Sequence, residues 1–199
     1  MKKILIIIFG IIIFQNCSQP NTLDETKKTT TIEKEILNFA LKDDVSNENL
    51  IKSHLLLSNL ILTETQIGEL KDKLPQRKDD NIKYMLTNYL LWMQTQESTF
   101  KNEFIKSYPT SNDLLSLNKA IINSDYRIAT SPFQKNLAFF AVDNEDALMK
   151  LLKSIEYSDG ANADELNSQL SEIYRINESR ILEASNESGI NIDEIIIQK

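Results

Sequence analysis

Apolar residues recur at helical spacing along most of the chain between residues 31 and 182. The clearest stripe has apolar residues at i, i+3, i+4, i+7, i+8 and i+11. It consists of Ile82, Met85, Leu86, Tyr89, Leu90 and Met93. A helix with such a stripe has one face that must pack against another element. The repeated pattern therefore predicts an all-α fold of roughly nine helices joined by short turns.

The scarcity of glycine and proline also favours helices over an all-β fold. Only 4 Gly and 4 Pro occur among 199 residues, whereas all-β folds use both residue types in their many turns. The hydrophobic content of 41% is sufficient for a core. We therefore predict one helical domain over residues 32–199, either a multi-helix irregular bundle or a short α-solenoid-like stack of helical hairpins. No repeated residue signature separates these two architectures, so both stay open.

Helix boundaries are marked by local signals at several points. Thr63–Gln66 has the form of a capping box, Asp79 can cap the next helix, and Pro132 fits a first helical turn. Two segments depart from the helical pattern. Leu137–Val142 is a short apolar run that a buried strand would also explain, and Ile190–Ile197 alternates like a strand without an evident partner.

The N-terminus has the organisation of an export signal. Lys2 and Lys3 precede the apolar run Ile4–Phe14, which is too short to cross a hydrocarbon core that takes about 20 residues. Gln15 and Asn16 then lead to Cys17, which is the only cysteine of the chain. Residues 17–31 are polar and without periodicity, which is typical of a flexible tether. We therefore predict a signal peptide over residues 1–16, followed by the tether.

This arrangement resembles the bacterial lipoprotein signal, and the resemblance covers residues 1–17 only. It implies a diacylglyceryl thioether on Cys17, cleavage before that residue, and often acylation of the new amine, for example by palmitate. Phe14, Gln15 and Asn16 depart from the Leu, small residue and Gly, Ala or Ser that usually precede the cysteine. The implied location is the bacterial cell envelope, at the outer or inner membrane, on the periplasmic or the surface face.

The charge of the chain limits its partners. The formal net charge is −7, and removal of Lys2 and Lys3 with the signal makes the mature chain more negative. An acidic chain without a Lys/Arg cluster is unsuited to nucleic acid, whose phosphates are bound by cationic groups. Anionic headgroups would also repel it, so we expect membrane contact through the lipid and not through the domain. A basic protein partner is compatible with this charge.

The residue types that support common catalytic sites are scarce. His54 is the only histidine and lies on an apolar helix row, where a packed core residue is the favoured interpretation. Acidic pairs such as Asp43-Asp44, Glu145-Asp146 and Asp164-Glu165 fit helix starts better than acid–base chemistry. The glycines are scattered, which excludes a glycine-rich phosphate loop. The sequence therefore assigns no catalytic residue, no metal site and no cofactor.

Aromatic residues on the helix that carries the stripe form the candidate partner-binding site. Tyr84, Tyr89 and Trp92 lie on one helix, and aromatic residues often anchor interfaces. For Trp92, a position at the edge of the core is the favoured alternative.

Our first functional hypothesis is a lipid-anchored extracytoplasmic helical protein-interaction module: an envelope accessory, an adaptor or an immunity-type inhibitor. The alternative is a small-ligand-binding protein or a hydrolase with a site built from Asp, Glu, Ser and Tyr. The sequence favours a non-enzymatic role without deciding the question.

Overall fold

The computed structural model describes residues 31–123, 131–158 and 160–192. Within these ranges the chain forms ten α-helices, two short 3₁₀ helices and no strand, which confirms the predicted all-α fold. The α-helices are α1 Thr31–Leu41, α2 Asn47–Leu57, α3 Glu64–Lys73, α4 Asn81–Thr95, α5 Ser98–Ser107, α6 Asn112–Asn123, α7 Pro132–Ala141, α8 Glu145–Lys153, α9 Gly160–Ile176 and α10 Glu178–Ser188. The 3₁₀ helices are Leu74–Arg77 after α3 and Ser154–Tyr157 after α8.

Side-chain caps explain several of the helix starts. Thr63 and Gln66 form the predicted capping box at α3, and Pro132 occupies the first turn of α7 as expected. The cap of α4 is Asp80 and not Asp79, so that prediction was wrong by one residue. The reason is geometric, since a cap accepts from the third helical amide, and Asp80 Oδ1 lies 3.1 Å from the amide nitrogen of Lys83.

The segment Leu137–Val142, for which a strand was an alternative, belongs to helix α7 apart from its last residue. Leu137, Phe140 and Ala141 are buried while Phe139 is 72% exposed, which is the pattern of a helix with one face in the core. Of the other ambiguous segment, Ile190–Ile192 has no regular structure, and residues 193–197 lie outside the described residues.

Several helices that follow one another in the chain pack as pairs, and other helix contacts connect these pairs. The pairs are α4 with α5, α7 with α8, and α9 with α10. The last two pairs stack, because α7 contacts α9 and α8 contacts α10. Helix α2 contacts both α4 and α6, and α5 contacts α8. The result is an irregular multi-helix bundle that includes stacked hairpins, and the described part of Ile32–Lys199 forms one compact unit.

Helix α4 is shared by two apolar clusters. Ile82, Met85, Leu86 and Tyr89 belong to the larger cluster, which draws on α2 and on the helices from α5 to α10. The smaller cluster joins α4 to α1, α2, α3 and α5, and consists of Leu37, Ala40, Leu57, Leu62, Leu70, Leu90, Leu91 and Phe100. The stripe found in the sequence therefore marks the helix around which the domain is organised.

A buried arginine fixes helix α1 to the rest of the domain. Arg77 is 1% exposed, and its guanidinium donates to Thr87 Oγ1 of α4 at 2.7 Å. It also donates to the carbonyl oxygens of Ala40 at 2.6 Å and Lys42 at 3.3 Å, which are at the C-terminal end of α1. Asp43 lies 3.7 Å from its Nε. A cation here satisfies carbonyl groups that a helix end leaves unpaired.

Candidate functional site

The three aromatic residues predicted to bind a partner differ in their surroundings. Tyr89 is 3% exposed, and its ring contacts Phe104 and Phe133 at centroid distances of 5.4 and 4.8 Å. Burial raises the pKa of Tyr89 to about 12. Tyr84 is half-buried and donates to Glu103 Oε2 at 2.8 Å. Partial burial raises the pKa of Tyr84, and the carboxylate of Glu103 raises it further. Tyr89 is therefore a core residue, whereas Tyr84 keeps exposed surface.

Trp92 begins a row of aromatic rings that reaches the surface. Its ring contacts Phe140 of α7 edge-on at 4.9 Å, and Phe140 contacts Phe139 at 5.8 Å. Trp92 is half-buried, while Phe139 is largely exposed. Lys101 Nζ lies 5.5 Å from the centroid of Phe140, within cation–π range. We call Trp92, Phe140 and Phe139 the aromatic row.

Phe139 was not among the predicted site residues, although the sequence contains a signal for it. Phe139 and Phe140 are adjacent in a helix, where successive residues point about 100° apart. Only one of two adjacent phenylalanines can lie at the centre of a buried face. The exposed member of such a pair is a large apolar side chain left in water, and such groups occur at contact sites when they join a larger patch.

The α9–α10 hairpin, Gly160–Ser188, is more acidic than the α4–α5 and α7–α8 pairs. It has two arginines, Arg175 and Arg180, and six carboxylates: Asp164, Glu165, Glu172, Glu178, Glu183 and Glu187. Arg175 pairs with Glu172 at 3.2 Å, and Arg180 pairs with Glu145 of α8 at 3.3 Å. The hairpin therefore presents an excess of negative charge that suits a cationic surface.

A cleft of about 580 Å³ lies between α5 and α8. Three lysines line it: Lys106 from α5, and Lys150 and Lys153 from α8. Glu103 and Asp146 also line the cleft, together with Asn102, Asn144 and Thr110. Ile105 and Met149 are its apolar members. The lysines outnumber the carboxylates, which is unusual in a chain with a net charge of −7.

Lys150 is the lysine of this cleft that the fold holds in place. Its ammonium donates to the carbonyl oxygen of Tyr108 at 2.8 Å. Burial lowers the pKa of Lys150, the positive charge of Lys153 lowers it further, and Asp146 opposes both effects. Among the described residues, Lys106 and Lys153 form no ion pair, unlike Lys71, Lys73 and Lys83 elsewhere on the surface.

His54 lies in the core, as the sequence favoured. It is fully buried, and its Nδ1 donates to the carbonyl oxygen of Leu50 at 2.8 Å. Burial lowers the pKa of His54 to about 3, with a smaller contribution from the positive charge of Arg77. Its imidazole is therefore neutral at physiological pH, and its Nε2 is buried without a hydrogen-bond partner in the described structure.

The acidic pairs have more than one role. Glu145 and Asp146 lie in the first turn of α8, as expected for helix starts. Asp43 instead accepts from Lys73 Nζ at 2.7 Å, which lowers the pKa of that carboxyl, and the cap of α2 is Ser46. Asp164 and Glu165 lie inside α9, beyond its first turn. No cluster of three or more His, Cys, Asp or Glu that could hold a metal ion occurs among the described residues.

Cys17, the predicted lipidation site, lies outside the described residues, as do the predicted signal peptide and all of the tether except Thr31. Among the helices that the structure describes, none is both long enough and apolar enough to cross a bilayer. Comparison with known proteins finds no matching family model, no matching curated protein and no matching solved structure. Function has to be inferred from the residues of this chain.

Proposed function

We propose that this protein is a lipid-anchored extracytoplasmic helical module that binds a protein partner in the bacterial envelope. It would serve as an envelope accessory, an adaptor or an immunity-type inhibitor. The anchor is supported by the position of the only cysteine, Cys17, directly after a short apolar run and a polar break. One acyl chain holds a protein marginally, and two or three hold it firmly, because each buried CH₂ contributes about 0.8 kcal/mol.

The anchor is tested by labelling with radioactive palmitate in a bacterial host. Wild-type protein should incorporate the label and fractionate with membranes, whereas Cys17→Ala should do neither. Ser18→Ala, which changes the adjacent hydroxyl and keeps the thiol, is the matched control and should behave as wild type. An unlabelled wild-type protein, or a label that persists in Cys17→Ala, would refute lipidation at Cys17.

The aromatic row is the observation that carries the proposed interaction. Phe139 exposes most of its ring to water, yet it belongs to a continuous set of rings that includes half-buried Trp92. Large aromatic side chains supply much of the binding energy of interfaces when a partner buries them. Tyr84, which also keeps exposed surface, lies on the same helix as Trp92.

The acidic hairpin defines the chemistry of the partner. Six carboxylates against two arginines in α9 and α10 favour a basic protein surface. Opposite charges of this kind accelerate association and exclude acidic partners. We therefore infer that a basic protein binds the domain, with aromatic contact through Phe139 and Trp92 and charge complementarity through the α9–α10 hairpin.

Capture from detergent-solubilised envelope tests this proposal with the full lipidated chain as bait. We expect a specific basic protein, whose recovery falls in Phe139→Ser but not in Ile61→Ser. Ile61 is 84% exposed and lies between α2 and α3, so it matches Phe139 as an exposed apolar residue. Equal recovery by both variants, or no specific protein with the wild type, would contradict the proposal.

The charge contribution is tested separately. Glu183→Gln with Glu187→Gln should weaken capture and reduce its sensitivity to salt, since both are exposed carboxylates of α10. The control pair Glu69→Gln with Asp72→Asn removes the same charge from exposed positions of α3. If the two double variants bound the partner equally well, the acidic hairpin would not be what selects that partner.

Small-ligand binding is the second candidate function, and the α5–α8 cleft favours it. A hydrolase built on paired carboxylates has less support there, because Glu103 already accepts from Tyr84. The cleft instead has more cationic than anionic groups.

A further inference from the structure

The lysines of the α5–α8 cleft differ from other described lysines because three of them line one space, whereas lysines without an ion pair elsewhere, such as Lys78, Lys119 and Lys135, do not line this cleft. Lys71 pairs with Glu97 at 2.9 Å, and Lys73 pairs with Asp43 at 2.7 Å. No carboxylate of the described residues lies within 4.0 Å of the ammonium groups of Lys106, Lys150 and Lys153. In an acidic protein, three cations that line one cleft without such partners require an explanation.

The arrangement along α8 brings like charges together. Asp146, Met149, Lys150 and Lys153 stand at i, i+3, i+4 and i+7, which places them on one helix face beside the cleft. Lys150 and Lys153 repel each other, and partial burial of Lys150 adds a cost of desolvation. A bound anion would offset both costs, because it adds negative charge to a cleft in which three lysines face two carboxylates.

We propose that this cleft binds a small anionic molecule, with a phosphate or carboxylate group held by Lys106, Lys150 and Lys153. The volume of about 580 Å³ falls in the range of small-molecule sites, which is about 300–1,000 Å³. The amides of Asn102 and Asn144 and the hydroxyl of Thr110 can hydrogen-bond the polar part of the ligand. Ile105 and Met149 can contact its apolar part.

The position of each cation assigns it a role in this site. Lys150 is held by its bond to the carbonyl of Tyr108, so its charge has a defined place. Lys106 and Lys153 are exposed and can move to the ligand from opposite sides, one on α5 and one on α8. Glu103 and Asp146 share the cleft, and their charge disfavours ligands with several spread-out anionic groups. A compact anion is therefore favoured.

Isothermal titration calorimetry of the full chain in detergent tests this site. The probes are inorganic phosphate and acetate, which are compact anions, each at constant ionic strength against chloride. We expect saturable heat with at least one probe, and about tenfold weaker binding in Lys106→Gln and in Lys153→Gln, because each loses a charge-assisted hydrogen bond. Lys119→Gln removes an exposed lysine of α6 outside the cleft and should bind as wild type does.

Absence of binding by the wild type above chloride, or equal weakening in Lys119→Gln, would overturn the proposal. Vesicles of phosphatidylcholine with and without phosphatidylglycerol, mixed with the unlipidated Cys17→Ala chain, identify the source of the anion. Retention by the anionic vesicles, lost in Lys106→Gln, assigns the anion to a lipid headgroup, whereas binding of the free probes alone assigns it to a soluble molecule. The aromatic row takes no part in this experiment, so its result is independent of partner capture.

Discussion

Two groups of cations in this protein differ in burial and in hydrogen bonding. Arg77 is almost completely buried and donates to three acceptors within the chain, on α1, on α4 and in the segment after α1. The lysines of the α5–α8 cleft line a water-accessible space, and within the described part of the chain only Lys150 has a hydrogen bond there, to a single carbonyl. Arg77 and Lys150 each bond to a part of the chain distant in sequence. Both terminal nitrogens of the Arg77 guanidinium donate hydrogen bonds, while its Nε has no hydrogen-bond partner among the described residues and lies 3.7 Å from Asp43.

The comparison distinguishes a structural cation from a binding cation. A buried charge is tolerated only when hydrogen bonds and opposite charges replace the water it loses. Arg77 meets this condition with backbone carbonyls, a hydroxyl and the carboxylate of Asp43. The cleft lysines stay near water because they lack such partners. Charges that the fold leaves uncompensated in a cleft are typical of binding sites.

Replacing Arg77 should have the largest effect on stability. Arg77→Met leaves the carbonyl groups of Ala40 and Lys42 and the hydroxyl of Thr87 without their donor, and we expect a loss of about 3 kcal/mol in the free energy of unfolding. Urea unfolding followed by circular dichroism measures it. Lys78→Met changes the adjacent, exposed cation and should cost less than about 0.5 kcal/mol.

If Arg77→Met were no less stable than Lys78→Met, the arginine would not be the structural cation that its bonds indicate. Arg77→Lys sharpens the test further. It keeps the charge but loses the planar fork that reaches α1 and α4 together, so its stability should fall between wild type and Arg77→Met.

His54 is a second buried titratable residue. Burial and the positive charge of Arg77 both disfavour its protonated form. Its pKa is about 3 in the folded protein and near 6.5 when unfolded, so the unfolded chain binds the proton first as pH falls. The neutral imidazole therefore contributes stability that is fully present above pH 6.5 and is lost progressively towards pH 3. From pH 7 to pH 5 the loss should be about 2 kcal/mol, since each pKa unit corresponds to about 1.4 kcal/mol.

The measurement is urea unfolding at pH 7, 6 and 5 for wild type and His54→Asn. Carboxylates such as Asp43 titrate in both proteins, so the difference between the two pH profiles isolates the histidine. We expect the stability advantage of wild type to shrink as pH falls. Parallel profiles would mean that protonation of His54 is as easy in the folded chain as in the unfolded one.

Sequence reasoning succeeded where structure depends on neighbours a few residues apart. The stripe from Ile82 to Met93 and the capping box at Thr63 are local patterns, and both were predicted correctly. Leu137–Val142 stayed ambiguous because a short apolar run fits a strand or a buried helix equally well. Only the packing of α7 against α8 and α9 decides between the two.

The polar features of the fold could not be predicted in the same way. Arg77 donates hydrogen bonds to residues that are 10, 35 and 37 positions away in the chain, and no local pattern specifies those contacts. The cleft combines Lys106 of α5 with two lysines of α8, which become neighbours only when these helices pack. The spacing of Lys150 and Lys153 was visible in the sequence, but without α5 it indicates a solvated helix face.

The smallest expected effect concerns the cost of the cleft lysines to the free protein. Lys153→Gln removes a charge that repels Lys150, and Lys153 has no ion-pair partner among the described residues. We expect a gain of a few tenths of a kcal/mol, about the size of one like-charge pair on a helix surface. Differential scanning calorimetry at low salt measures it, and about 0.5 M NaCl should abolish the gain because salt screens the repulsion.

Lys119→Gln is the matched control and should leave stability unchanged. A destabilised Lys153→Gln would mean that this lysine is held by contacts of its own, as Arg77 is, and the distinction between structural and binding cations would then fail at this residue.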